Sequence, residues 1–435
     1  MSHSLQQKIT EAMDSLQEEL TAFAQEIVRI PTENPPGRHY PECAEAIGNM
    51  MKKIGMEVNM IEVPKERLKE LAPTGEGLPR VNVLGKWEGS EKKPVIHFTG
   101  HYDVVPAGNG WTHDPFSGKV IDGKLYGRGS SDQKSGVVSQ IFAIYALKKA
   151  GVRLKGTVIS SSTPDEETGG FAGLGYLVEQ GIITKENTQY CVITECLDVD
   201  KICLGHRGTL WFEVVTKGKQ SHGSMPSEGV NAIVQMQRLL NMMDKEIQPQ
   251  LEITSQYPVN PPACKKSTLT VTMIQAGNKI NTVPNECVAS FDWRLIPEQD
   301  TKWALEEMKR VMELVKQDHP DFEAELRVQM KVDPTMVPDD TPVVKAFLDA
   351  GRKVLGAAPD FSVSPGSDDQ KFVVQQAGID QCIVYGPGPL TQAHKSDEYV
   401  PIQDMMEAAK VMALSMVELL GLEAMDEPIS HVIHR

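Results

Sequence analysis

The chain has 435 residues, 40% hydrophobic and 24% charged, with a formal net charge of −15. That length exceeds what one hydrophobic core usually supports, so two domains are expected, and the acidic balance excludes nucleic acid or an anionic membrane surface as the main partner. No apolar run approaches the ~18 residues of a membrane span, the N-terminus is polar and amphipathic rather than signal-like, and seven cysteines without a CxxC fit a reducing cytoplasm.

Residues 5–30 carry Ile9, Met13, Leu16, Leu20, Phe23 and Ile27 at helical spacing until Pro31 stops the pattern. A second helix is expected at about 40–55, followed by the strand EVNMIEV and a polar surface loop over 66–80. From VNVLGKW onward, strands and helices alternate: PVIHFTGH, a helix over 133–150, TVISSST, a short helix near 172–180, then YCVITE. This rhythm predicts a mostly parallel sheet with helices on its faces. Cys191, Cys196 and Cys203 cluster here, but at a spacing wrong for a zinc knuckle, and they read as buried thiols.

The pattern changes after Gly208. TLWFEVVTKG alternates as an antiparallel strand should, a helix follows at about 229–245, then the strands STLTVTMIQAG and ECVASFDWRLIP, a helix at 301–318, and AELRVQM. That is the order of a small α+β, ferredoxin-like sandwich. The α/β rhythm resumes with a helix over 342–355, the segment 367–377, the strand QCIVYGP and a helix over 403–421. One domain is therefore expected to comprise 1–208 and 331–435, interrupted by an inserted domain at 209–330. The polar tail 423–435, with His431 and His434, reads as a frayed end.

Groups with metal-ligand chemistry sit at the ends of the apolar runs: His101 after VIHFTG, Asp132 in GRGSSDQKSG, Glu167 in SSTPDEETGG, Glu195 in CVITECLD and His394 in GPGPLTQAHKSDEYVP. Functional groups of open α/β sheets collect beyond the carboxyl ends of the strands, so position supports the choice independently of residue type. Two imidazoles and three carboxylates are the ligand set for two borderline-soft divalent ions, Zn²⁺ above all, sharing a carboxylate. Glu166, beside Glu167, is left as a general base, which points to hydrolysis by metal-activated water. Asp103, two residues past His101, is placed to accept the imidazole's other N–H and fix its tautomer. His97, on the same strand, reads as a satisfied buried histidine. GRGSSDQKSG lacks the GK[ST] ending of a phosphate-cradling loop.

HYDVVPAG, GWTHDPFSGKVIDGKLYGRGSSDQKSG, PDEETGG, KGKQSHGSMP and AHKSDEYVP together resemble the signature segments of the zinc-peptidase family. That family holds acetylornithine deacetylase, succinyl-diaminopimelate desuccinylase, aminoacylase-1 and carboxypeptidase G. The resemblance runs over nearly the whole chain and implies two Zn²⁺ ions, for which Co²⁺ can substitute, bridged by Asp132. His101 and Glu195 would complete one ion, Glu167 and His394 the other, with Glu166 as base and Asp103 supporting His101. It further implies that the inserted domain is a lid that forms a homodimer, with His222 reaching the partner subunit's active site to polarise the substrate carbonyl. Asn281 and Arg294 would hold the substrate carboxylate, and Gly366 and Ser367 would line the pocket from the catalytic domain.

Relatives more often carry Met or a similar apolar residue where this chain has Gln133, small residues at Lys134 and Ser135, and a proline after the acid of ITECL. These departures touch no ligand but put the substrate class in question. The sequence therefore predicts an amidohydrolase that removes an acyl group, acetyl, succinyl or similar, from an N-acylated amino acid. The alternative within the family is a dipeptidase or carboxypeptidase acting on a short peptide. A non-catalytic binding protein on the same scaffold would be marked by loss of Glu166 or of a ligand, and all are present.

Overall fold

The structure, a computed structural model, describes residues 2–423, so apart from Glu423 the tail with His431 and His434 lies outside the described residues. The chain divides into two compact units. One gathers the residues up to Ile202, Val337–Asp360 and the chain from Phe372 on; the other holds Cys203–Met336 and Phe361–Lys371.

The first unit is built on a sheet in which the strands Glu57–Glu62, Val81–Trp87, Thr157–Thr163, Val95–His101, Tyr190–Ile193 and Cys382–Val384 lie side by side in that order. The first two junctions are antiparallel and the remaining three parallel. Every residue of Val95–His101 is buried, as expected of a strand covered on both faces. The helix Ser135–Lys149 is buried over most of its length, which is why its sequence is apolar around the whole circumference.

Several elements depart from the sequence expectation. The helix expected over 5–30 is two, His3–Asp14 and Gln17–Val28, because the Ser15 hydroxyl donates to Ala12 O at 2.7 Å and Leu16 N–H turns back to Met13 O. The expected loop 66–80 begins with a helix, Lys65–Leu71, whose Leu68 packs with Val63, Ala72 and Tyr176; a single buried leucine was too little periodicity to read. The helix expected from 133 starts at Ser135, after a π-helical turn at Ser130–Lys134 in which Asp132 and Gln133 leave helical geometry.

In the second unit the strands Thr268–Ala276, Glu286–Leu295, Gly208–Lys217 and Glu323–Val332 form an antiparallel sheet in that order. The helices Ala232–Glu246 and Thr301–Asp318 pack on the face carrying Leu210, Phe212, Phe291 and Trp293. Phe212 and Phe291 stack at 4.8 Å, and inward residues alternate strictly along Glu286–Leu295. Residues 361–371, expected with the segment 331–435, cluster with this unit. The backbone explains it: Arg207 N donates to Ser364 O at 3.1 Å, and Asn260 N to Val363 O at 3.0 Å.

Candidate metal centre

His101 ends its strand and is 1% exposed. Its Nδ1 donates to the backbone carbonyl of Asp103 at 2.9 Å, with Asp103 Oδ1 at 3.3 Å, so Nε2 is left as the lone-pair nitrogen. That Nε2 lies 3.2 Å from Asp132 Oδ1 and 3.5 Å from Glu195 Oε2. On the other side of Asp132, His394 Nε2 lies 3.3 Å from Asp132 Oδ2 and 3.1 Å from Glu167 Oε2. His101, Asp132 and Glu195 form one group able to hold a metal ion, and Asp132, Glu167 and His394 a second. Asp132 is common to both, one oxygen toward each.

The donors suit a divalent cation. Nε2 of His101 and Oε1 of Glu167 are buried without a hydrogen-bond partner among the described residues, and three carboxylates converge where only a cation offsets their repulsion. Burial, then the charge of Asp132, pushes Glu195 up to about 8, and the same causes raise Glu167. Hydrogen bonds to Asp132 and Glu167 lift His394 to about 11. Burial opposes a proton on His101, but Glu195, Asp103 and Asp132 together outweigh it and raise its pKa. Burial likewise opposes charge on Asp132, yet the two imidazoles hold it well below the carboxylate range.

Behind these donors stands a framework of buried polar groups, of which the sequence pointed only to Asp103. Asp103 uses its side chain on the glutamate turn: Oδ1 accepts the N–H of Glu166 at 3.1 Å and Oδ2 that of Glu167 at 3.2 Å. Asn34 donates to Asp103 Oδ2 at 2.9 Å and reaches Asp165 Oδ1 at 3.2 Å. Asp165, at φ 66°, is held there by Arg80 Nε at 2.7 Å and the Tyr40 hydroxyl at 2.9 Å. The ion pair of Arg80 and Asp165 is fully enclosed, and Arg80 also donates to Leu78 O and Pro36 O. Glu398 plays the matching part for Asp132: its Oε1 accepts the N–H of Ser131 and Asp132, and its Oε2 that of Gly129 and the Arg128 guanidinium. Glu398 lies inside the motif AHKSDEYVP, so the motif was visible although the role was not.

The remaining expected residues belong to the second unit. His222 is exposed on a two-residue strand paired with Thr282–Val283, and Gly223 N donates to Asn281 O at 2.8 Å, so His222 and Asn281 are neighbours. Arg294 is clamped by Asp292, Nε to Oδ1 at 2.8 Å and Nη2 to Oδ2 at 3.1 Å, and Nη1 donates to Thr209 at 2.9 Å. The Ser367 hydroxyl is 3.4 Å from that of Thr209, while a side chain at Gly366 would meet nothing within 4 Å. Gly366 and Ser367 lie in the segment Phe361–Lys371, which clusters with the second unit.

A mostly parallel α/β sheet with two histidines and three carboxylates gathered past its strand ends defines a metallohydrolase. Residues 97–418 match peptidase family M20/M25/M40. The succinyl-diaminopimelate desuccinylase of Marinobacter nauticus is 30% identical over 367 residues, covering 83% of this chain and 93% of that one. The acetylornithine deacetylase of Myxococcus xanthus is 28% identical over 346 residues, 79% of this chain and 86% of the other. Among solved structures, the di-peptidase Dug1p of Saccharomyces cerevisiae superposes with a TM-score of 0.72 at 17% identity, covering 96% of this chain and 99% of that one. The chain belongs to peptidase family M20/M25/M40, and it is a hydrolase of amide bonds.

Proposed function

We propose that the chain removes an acyl group, acetyl, succinyl or similar, from an N-acylated amino acid, using two Zn²⁺ ions or Co²⁺ in their place. The observation that carries this reading is Asp132, whose two oxygens face two separate histidine–carboxylate pairs. The sequence relatives named above are a desuccinylase and a deacetylase, which favours acyl removal over peptide cleavage.

His101, Asp132 and Glu195 would hold one ion, and Asp132, Glu167 and His394 the other. When bound, the ions lower the pKa of a water toward neutrality and polarise the scissile carbonyl. Glu166 takes the proton from the attacking water and passes it to the leaving amine. Asp103 aims both glutamates through their N–H groups and, through its carbonyl, keeps His101 in the ligating tautomer. His222 donates to the developing oxyanion. Its Nδ1 accepts the Ser224 N–H at 3.2 Å, so the neutral ring carries its proton on Nε2, as a donor must. Arg294, with three of its five N–H groups engaged by Asp292 and Thr209, offers the rest to the substrate carboxylate alongside Asn281, Gly366 and Ser367.

We further place the chain in the cytoplasm as a homodimer. Buried cysteines outside any disulfide, at Cys43, Cys191, Cys196, Cys203 and Cys287, support the compartment. Among the described residues no helix is long and apolar enough to cross a membrane. The edge strand Thr268–Ala276 exposes Val271, Met273 and Ile274, an apolar rim that pairing with a second copy would cover. The deciding test is a panel of N-acetyl, N-succinyl and N-formyl amino acids plus dipeptides, assayed with zinc or cobalt. Faster turnover of one N-acyl series is the expected result; preference for dipeptides would assign the chain to the peptidases of its family.

A further inference from the structure

We propose that Gln133 is a positioning residue for Glu195 and sets the strength of one ion site only, the site of His101, Asp132 and Glu195. This rests on the assignment of those three residues as ligands. Gln133 is buried in the π-helical turn directly after Asp132. Its Nε2 donates to Glu195 Oε2 at 2.7 Å, the same oxygen that faces His101. Its Oε1 lies 3.2 Å from the hydroxyl of Thr194, the residue before Glu195; that hydroxyl's single proton is shared with Thr99 O and Gln140 Oε1. The two ends of one amide thus meet two adjacent residues past the strand end, Nε2 on Glu195 and Oε1 on Thr194.

The amide has one workable orientation. Reversed, its carbonyl would face the ionised Glu195 carboxylate that a cation requires, two acceptors with no proton between them. Space for it comes from two glycines: a Cβ on Gly100 would stand 2.6 Å from Gln133 Oε1, and one on Gly136 2.9 Å. Neither position tolerates a side chain while Gln133 keeps this pose.

The consequence is an asymmetry between the two carboxylates. Glu195 has a protein donor on each oxygen, Cys196 N on Oε1 at 3.2 Å and Gln133 on Oε2. Glu167 Oε1 is buried and has no hydrogen-bond partner among the described residues. Part of the charge of Glu195 is therefore committed to Gln133, which fixes the carboxylate in place. Removing the amide frees Glu195 to rotate and leaves Glu167 and His394 as they are. Outer partners of metal ligands are typically worth roughly 10–100-fold in affinity.

Gln133→Met keeps the length and volume of the side chain and deletes both hydrogen-bonding ends. Metal-free protein should be titrated with Zn²⁺ against a chromophoric chelator, and with Co²⁺ while the d–d spectrum is recorded. Gln133→Met should weaken one of two dissociation constants by roughly 10–100-fold, the same one that Glu195→Gln weakens, and should change only that ion's cobalt bands. Gln133→Asn, which keeps the amide but withdraws it from Glu195, should show the same one-sided loss, and it serves if the methionine variant does not fold. Two unchanged constants, or equal losses at both ions with a lower melting temperature of the metal-free protein, would overturn the inference and leave the ligand assignment standing. A wild-type chain that takes up no ion would overturn both.

Discussion

Glu398 accepts the backbone N–H of Asp132 at 3.0 Å, so the carboxylate facing both histidines is anchored by an acid four residues beyond one of them. Glu398 also accepts from Gly129 and Ser131 and pairs with Arg128 at 2.6 Å, all of it buried. Glu398→Gln turns one acceptor oxygen into an NH₂ group facing N–H donors. Loss of about 2–4 kcal/mol of stability is expected, as for other broken buried ionic networks, together with weaker uptake of both ions. Calorimetric melting and zinc titration of the purified variant check this; wild-type metal uptake would show that Asp132 needs no such anchor.

Base and ligand should separate by metal content. Glu166→Ala should retain its ions and lose about two to four orders of magnitude in turnover, whereas Asp132→Ala should lose metal from both sites. Prolonged chelation should silence the wild type, and Zn²⁺ or Co²⁺ should restore it. Elemental analysis beside the assay decides: variants with identical metal content would dissolve the distinction.

His222 and Glu166 lie in different units of one chain. If the histidine serves the partner subunit, mixed dimers of Glu166→Ala and His222→Ala contain one site with both defects and one with neither. Co-expression of the two inactive chains should recover up to about a quarter of wild-type activity for random pairing. Mixed dimers demonstrated by differential tagging, yet inactive, would confine His222 to its own chain.

His97 makes stability depend on pH. Burial lowers its pKa from 6.5 to about 3, and the neutral ring meets the Ser161 hydroxyl at 2.8 Å. Below the unfolded value the unfolded chain takes up a proton that the folded chain refuses. Stability from this group is therefore complete above 6.5 and drains away as pH falls toward 3. The slope is up to about 1.4 kcal/mol per pH unit. In metal-free protein, the melting temperature of His97→Gln should fall less steeply than that of the wild type between about pH 6.5 and 5, within the window where His97 titrates. Parallel curves would mean that His97 is charged in the folded state.

Local pattern was enough to locate most elements. The helices expected over 301–318 and 342–355 are observed as Thr301–Asp318 and Pro342–Leu355. Each has a side-chain cap, from Asp300 and from Thr341, so start signal and periodicity agree. The order of strands and helices was legible for the same reason: burying one face leaves a period in the residues themselves. Residue type at strand ends also sufficed to name imidazoles and carboxylates with metal-binding chemistry. The resemblance named Asp132 as the shared carboxylate; what only the tertiary structure decided is what holds it between the two histidines. Asn34 reaches Asp103, Arg80 reaches Asp165, and Glu398 reaches Asp132 across separations of 69, 85 and 266 residues. A hydrogen bond over such a distance imposes no period and no composition on the sequence around it. It exists only once the sheet has brought its strand ends together, and there the buried acceptors must find donors.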